Sequence, residues 1–340
     1  YGNINTWQFD FAANGGDLTN FSQSFDPSIA GRPTDVSGFN GDITTWNVTD
    51  VSNMEYMFYQ GKSFNQDISG WNVSNVINMD FMFTENEAFN NGETGNTGAI
   101  PLTWNTINVT SMEKIFQDAS GFNQDIGNWE VGNIINMNYL FKNATSFNNG
   151  GSSNINNWNV SNAGGMIYMF NNTPFNQNIA EWNVSKVSDM DSMFKNATSF
   201  DQDISGWIVS NVIQMKSMFE DATNMSENIS VWDVGNVANF TNIFGGTTAM
   251  TSQINNLGQT PDANAAISGG NDGSWFLGPP VTPYTFTERG WTSGTYGSSG
   301  IPAPGTLFYA IDLYITDQAA ADASYGSIDS WQFDYTANGG

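Results

Sequence analysis

Residues 64–83 of the chain read FNQDISGWNVSNVINMDFMF, and this stretch recurs with small changes along most of the sequence. Its markers are a Trp and a Phe that follows it 12 positions later. Eight such pairs occur: Trp46/Phe58, Trp71/Phe83, Trp104/Phe116, Trp129/Phe141, Trp158/Phe170, Trp182/Phe194, Trp207/Phe219 and Trp232/Phe244. Successive Trp residues lie 24 or 25 positions apart, except for 33 before Trp104 and 29 before Trp158. A constant unit with variable joints predicts a solenoid, in which each repeat packs on its neighbours.

The pattern inside the unit predicts the local structure of each coil. Trp71 and Val73 alternate with polar residues, which predicts a short strand with one buried face. Met79, Met82 and the Phe after it have helix-like spacing, which predicts a short helical or 3₁₀ return segment. One repeat cannot bury these side chains alone, so we expect about eight coils to stack in register, with short parallel strands next to one another.

The phase of the repeat resembles that of a leucine-rich repeat, because the template L-x-x-L-x-L becomes Ile68-x-x-Trp71-x-Val73. The phrases FNQDISGWNV (64–73) and NMDFMF (78–83) resemble the BspA-type leucine-rich repeat of bacterial surface proteins, which also occurs in mycoplasma lipoproteins. The resemblance covers about residues 39–244. It implies a leucine-rich-repeat-like solenoid in a cell-surface or secreted protein, often one involved in adhesion, and it does not imply a catalytic activity.

A second, longer repeat joins the two ends of the sequence. Residues 1–16 (YGNINTWQFDFAANGG) and 325–340 (YGSIDSWQFDYTANGG) are identical at 11 of 16 positions, at an offset of 324 residues. We expect the 340 residues to be about one period of a tandem array. The alternative is a single module with a capping segment at each end. The predicted division is a cap or degenerate first coil at 1–38, the solenoid at 39–250, a Gly- and Pro-rich β connector at 251–324 and the start of the next block at 325–340.

The composition excludes several functions. The chain has 33 acidic and 8 basic residues, a net charge of −25, so it lacks the basic stripe that nucleic acids require, and anionic membrane surfaces are disfavoured. It has no Cys and no His, which excludes disulfides, thiolate chemistry and His-ligated metals. The sequence contains no run of 18 apolar residues, so no membrane insertion is expected. No P-loop or Gly-x-Ser-x-Gly motif occurs, so we expect no enzymatic activity.

The residue directly after each Trp, at position +1, is expected to face outward from the strand. Five coils carry Asn there: Asn47, Asn72, Asn105, Asn159 and Asn183. Such a face could bind a glycan through hydrogen bonds, or it could be a solvated or self-packing surface. Four of the five also open Asn-x-Ser/Thr sequons, which are glycosylation acceptors in a eukaryotic secretory protein.

Two further columns of polar residues are predicted. Four residues before the Trp, at position −4, four coils carry an aspartate: Asp42, Asp67, Asp125 and Asp203. These carboxylates are candidate Ca²⁺ ligands, because hard cations prefer oxygen. The alternative is that each one caps a turn. Position +7 carries Asn in four coils, which predicts a ladder that bonds backbone groups at the coil corner: Asn53, Asn78, Asn136 and Asn239.

Two functions fit these observations. The first is a non-enzymatic extracellular structural repeat unit of a cell-surface fibre or coat, assembled from tandem or head-to-tail blocks, so that the main partner is a second copy of itself. The alternative is a surface adhesin that binds a glycan or a protein through the Asn-rich face. The sequence suggests no cofactor other than the candidate Ca²⁺.

Overall fold

The computed structural model of the chain describes residues 19–24, 38–95, 100–229 and 232–250, all within the unit Tyr1–Gly278. Within these ranges the helices are two 3₁₀ helices, Asn149–Gly151 and Ser153–Asn157, together with three helical residues at 248–250. The predicted connector, the predicted start of a next block and most of the predicted cap, including its strand-like residues 4–9, lie outside the described residues.

Successive coils pair through single residues in parallel orientation. The described part of the chain contains seven such bridges: Asn20–Asn53, Asn53–Asn78, Asn78–Ser111, Asn136–Gly165, Gly165–Asp189, Asp189–Gln214 and Gln214–Asn239. From Asn53 onward, each bridged residue is at position +7 of its coil. Residues 19–24 add one further layer, because Asn20 bridges to Asn53 and the Phe21 N–H donates to the Asn53 carbonyl at 2.8 Å. The repeats therefore stack in register along the described residues.

In most coils the segment around the Trp, where the sequence predicts a strand, consists of two consecutive β-turns. In one coil, the Trp71 N–H donates to the Ile68 carbonyl at 3.0 Å, and the Val76 N–H closes a second turn by donating to the Val73 carbonyl at 2.9 Å. Polar side chains close these turns, since the oxygen of Asn72 accepts the backbone N–H two residues on at 3.2 Å. The alternation that suggested a strand thus arises from turns, and within the described residues of the eight coils parallel bridges form only at position +7.

The return segment is also a run of turns rather than a helix. Amide groups alternate between two partners: the Tyr56 N–H donates to the Asp80 carbonyl of the next coil at 2.9 Å, and the Met57 N–H donates to the Met54 carbonyl of its own turn at 3.1 Å. Positive φ angles recur at positions +10 and +14 of all eight coils, for example at Tyr56 and Gln60, both with φ 55°. A left-handed residue at the third position of a turn is the signature of type II turns.

The apolar side chains of the repeat form three stacked columns inside the coils. The +12 Phe residues stack without interruption from Phe58 to Phe244, with ring centroids 5.4 to 5.9 Å apart. A second Phe column runs from Phe39 to Phe200, at 5.8 to 6.5 Å. Trp rings stack as well, Trp71 on Trp104 at 6.5 Å and 4°. The prediction that the Met and aromatic stripes form the core is confirmed by their burial.

Candidate binding surfaces

The Asn residues at position +1 are exposed and close turns. Each Oδ1 accepts the backbone N–H two residues on at 3.1 to 3.2 Å. The Nδ2 groups of these side chains have no hydrogen-bond partner within the described ranges, so they are available to a ligand. The column comprises Asn47, Asn72, Asn105, Asn159 and Asn183; Glu130 interrupts it, and Ile208 and Asp233 occupy the position in the last two coils. Ligand binding to this column stays a prediction.

The Asp residues at position −4 also close turns. Each Oδ1 accepts the backbone N–H two residues on at 2.9 to 3.0 Å, in Asp42, Asp67, Asp125 and Asp203. Hydrogen bonds from the Thr44 and Ser205 side chains, and then from their backbone N–H groups, lower the pKa of Asp42 and Asp203. Among the described residues, no three acidic side chains lie close enough to hold a metal ion. Calcium binding stays a prediction, which calorimetric titration of Ca²⁺ into EDTA-treated protein would test.

The Asn residues at position +7 bond backbone groups at the coil corner, as predicted. Their Oδ1 atoms accept the N–H two residues on at 2.8 to 3.0 Å, in Asn53, Asn78, Asn136 and Asn239. These bonds lie within a coil. They shape the corner at which the parallel bridges form, and they do not themselves link neighbouring coils.

The polar ladder that links coils lies instead at position −6, which the sequence analysis missed. The side-chain oxygen of each residue accepts the backbone N–H of its counterpart in the next coil at 2.7 to 2.9 Å. The ladder runs through Asn40, Asn65, Asn90, Asn123, Asn148, Asn176, Asp201 and Ser226. In the two coils with insertions, Asn90 and Asn148 precede the insertion and therefore lie 14 and 10 residues before the Trp. The following Gln often joins it, as when Gln202 Nε2 donates to Asn176 Oδ1 at 2.8 Å. The recurring Phe-Asn-Gln triplet was its signal.

Two more side-chain ladders connect each coil to the one before it. Seven Trp indoles donate Nε1–H to a buried carbonyl of the preceding coil at 2.7 to 3.2 Å. In six of the seven bonds, that carbonyl belongs to the Ile at position −3 of the preceding coil. Six Asn residues at position +4 donate Nδ2–H to the carbonyl at position +3 of the preceding coil at 2.7 to 2.9 Å. Every Asn-rich position in the unit thus has a backbone partner.

Both insertions enter the repeat at the same point and with the same four residues. Residues 89–92 and 147–150 read FNNG, where two uninterrupted coils read FNQD at 64–67 and 122–125. The second Asn of each motif has positive φ and its Oδ1 accepts the N–H of a core Ile of the previous coil: Asn91 from Ile68 at 2.9 Å and Asn149 from Ile126 at 3.0 Å. The inserted loops therefore leave the core unchanged. Insertions in solenoids often lie on the binding face.

None of the helices in the described ranges has the length and apolar character needed to cross a membrane. A family model described as "Mycoplasma protein of unknown function, DUF285" matches residues 34–97, 96–172 and 149–257, a span that contains all eight Trp/Phe pairs. No curated protein and no solved structure matches the chain. The three matches to the family model support the conclusion that the chain is a repeat protein of a bacterial family.

Proposed function

We propose that this chain, which belongs to the DUF285 family of Mycoplasma proteins of unknown function, is a non-enzymatic structural unit of an extracellular cell-surface fibre or coat. Its fold is a solenoid similar to BspA-type leucine-rich repeats, and its main partner is another copy of the same block, joined head to tail. The observation that carries the proposal is that coils are linked by a repeated set of polar ladders that any further coil of the same sequence would extend.

Two observations support assembly from like units. The −6 ladder, the Trp indole ladder and the +4 ladder use the same kinds of donor and acceptor between successive coils. A coil from a second block would therefore meet complementary groups. The sequence also repeats a 16-residue segment at an offset of 324 residues, and each copy contains the Ile-x-x-Trp pattern of a coil. The Trp of such a coil would add an indole donor of the kind that links the described coils.

The test is the mass of the native polypeptide under denaturing conditions, together with sedimentation of the 340-residue chain over a range of concentrations. We expect either a polypeptide many times longer than one block or reversible end-to-end oligomers that a deletion of residues 325–340 abolishes. A native polypeptide of one block that sediments as a monomer at every concentration would contradict the proposal.

A second function, adhesion, is favoured by one observation. The exposed Asn side chains at position +1 keep their oxygens in turns and present their Nδ2 donors without an internal partner in the described ranges, which suits hydroxyl and carbonyl acceptors of a glycan or protein. A glycan array tests it. Saturable binding that is lost in the Asn72→Ala/Asn159→Ala double variant supports adhesion, whereas no binding to any glycan leaves the structural role alone.

A further inference from the structure

The side chains at position +10 change character along the stack. Five coils place Tyr56, Phe81, Lys114, Tyr139 and Tyr168 there, and the last three place Ser192, Ser217 and Asn242. All eight residues have φ between 54° and 60°. This left-handed conformation costs an L-residue about 1–2 kcal/mol, and Asn tolerates it better than bulky residues. Large side chains at a strained position that small ones can fill indicate a requirement beyond the turn itself.

The large side chains form a continuous, partly exposed column that already binds ammonium groups. Tyr56 stacks on Phe81 with ring centroids 4.4 Å apart, and Tyr139 stacks on Tyr168 at 5.3 Å. Between these pairs, the Lys114 ammonium lies 4.8 Å from the centre of the Phe81 ring and 5.1 Å from that of Tyr139. A cation over an aromatic face is attracted by the ring quadrupole.

A second lysine repeats this contact from the neighbouring turn. The Lys142 ammonium lies 5.6 Å from the centre of the Tyr139 ring and 5.1 Å from that of Tyr168. The column therefore shows, with the protein's own side chains, the geometry in which it takes up primary ammonium groups. The chain uses only 8 basic residues in all, and two of them lie here.

Carboxylates border the column and outnumber its lysines. Glu55, Asp80 and Glu113 directly precede the first three members in sequence, and the Tyr168 N–H donates at 2.9 Å to the backbone carbonyl of Asp191, two residues after Asp189. Of these five, Glu113 forms an ion pair with Lys114 at 3.2 Å. We name the six aromatic and lysine side chains and these five carboxylates the aromatic–acidic column. Burial and then the charge of Asp80 raise the pKa of Glu55.

We propose that the aromatic–acidic column is an interaction surface for a basic, lysine- or arginine-bearing segment of a partner protein. Its ammonium or guanidinium groups pair with the carboxylates, and their aliphatic stems lie along the ring edges. The excess of carboxylates selects a cationic occupant, and the net charge of −25 steers such a segment toward the chain. The surface is separate from the Asn column at position +1, and the proposal does not depend on assembly of the chain with itself.

The test is fluorescence anisotropy of a labelled peptide of alternating Lys and Ser, titrated with the full 340-residue chain at low and at physiological salt. We expect Tyr139→Ser/Tyr168→Ser and, separately, Asp189→Asn/Asp191→Asn to weaken binding about tenfold or more. Ser occupies the same position in the next two coils, and Asn retains the acceptor oxygens, so both variants are expected to fold. Circular dichroism and melting curves verify this, and if one variant fails to fold the other carries the test.

The matched control is Asp50→Asn/Glu181→Gln, which removes the same charge from exposed residues elsewhere in the chain. We expect its affinity for the peptide to remain within about twofold of the unaltered chain, the small change that rim charges produce. Equal losses in the control and the column variants would show attraction to net charge alone and would overturn the proposal. Normal binding by the column variants would overturn it too, as would binding of neutral oligosaccharides to the column without binding of the basic peptide.

Discussion

Replacing Asn86 with Ala is expected to stabilise the protein, although it removes a buried side chain from the core. Asn86 is fully buried at position +15 of its coil, and neither its Oδ1 nor its Nδ2 has a hydrogen-bond partner in the described part of the chain. The other seven coils hold a smaller residue there: Gly61, Ala119, Ala144, Thr173, Ala197, Ala222 and Thr247. The position therefore accepts Ala without a change of backbone.

The magnitude follows from two opposing terms. A buried amide without partners costs about 1–3 kcal/mol of desolvation, which the substitution recovers. The smaller side chain leaves a void, which opposes this gain by about 24 cal/mol per Å³. We expect a net stabilisation of about 1 kcal/mol, or an increase of about 2–4 °C in melting temperature for a unit of this size.

The assay is urea unfolding of the 340-residue chain, followed by Trp fluorescence and circular dichroism. Asn86→Thr is the companion variant, because Thr173 at the equivalent position donates its hydroxyl to the Phe170 carbonyl at 2.8 Å. The reverse change, Ala144→Asn, should destabilise the chain, as it would bury a second unpartnered amide. If Asn86→Ala lowers the free energy of unfolding instead, the amide has a partner, such as a bound water, and the reasoning fails.

Four further outcomes are expected. Trp182→Phe removes the indole donor to the Ile155 carbonyl, 2.9 Å away, and should lower the free energy of unfolding by about 0.5–1.5 kcal/mol; an unchanged urea midpoint would speak against the indole ladder. Asn148→Ala should cost about 1 kcal/mol by the same assay, and Asn148→Asp, which keeps the acceptor oxygen, should recover most of it; equal losses would argue against the −6 ladder. Burial and then the charge of Asp189 raise the pKa of Asp191, so the stability that protonated Asp191 provides is fully present below pH 3.8 and is lost as the pH rises through the raised pKa. Asp191→Asn should therefore raise the melting temperature at pH 7 and change it little below pH 3.8. A shift of equal size at both pH values would refute this. Raising ionic strength from about 0.01 to 0.15 M shortens the Debye length from about 30 to 8 Å and should raise the melting temperature of this chain of net charge −25; no change would show that charge repulsion is unimportant.

The register and core of the stack could be predicted from the sequence, because burial imposes a strict spacing on large apolar residues. Trp71 and Phe83 keep their 12-residue interval in every copy, and their exposed fractions are only 4% and 0%. The two irregular intervals marked the insertions for the same reason, since an insertion outside the core leaves the spacing within a unit intact. The backbone path between these residues does not follow from spacing alone.

Strand and turn could not be separated by apolar alternation. Trp71 and Val73 reach the core from consecutive turns, which repeats the two-residue period of a strand. The discriminating signal was the Asx residue that opens each turn, such as Asp67, for which the sequence left turn capping and Ca²⁺ binding as alternatives. The left-handed turns left no signal either, because bulky residues such as Tyr56 occupy positions at which Gly would have announced them.

The candidate sites were predicted in part, because Asn is abundant at many positions of the unit. Exposure of the +1 column follows from the buried Trp beside it, as at Asn72, whose neighbour Trp71 is in the core. The ladder at Asn65 was missed because an Asn that accepts a backbone N–H from the next coil has the same sequence signature as an Asn that caps a local turn. Only the identity of its neighbours, Phe and Gln, distinguishes the two.

The three side-chain ladders between coils all have the same direction. Each Trp indole and each +4 amide donates toward the preceding coil, and each −6 oxygen accepts from the following one. A stack of such coils is therefore chemically polar, because the ladders present indole and amide donors at one terminal layer and their oxygen acceptors at the other. Two identical terminal layers cannot form these ladders with each other, which disfavours two-fold symmetric pairs. A polymer formed by end-to-end stacking would have two distinguishable tips, so that growth and anchoring could take place at different ends.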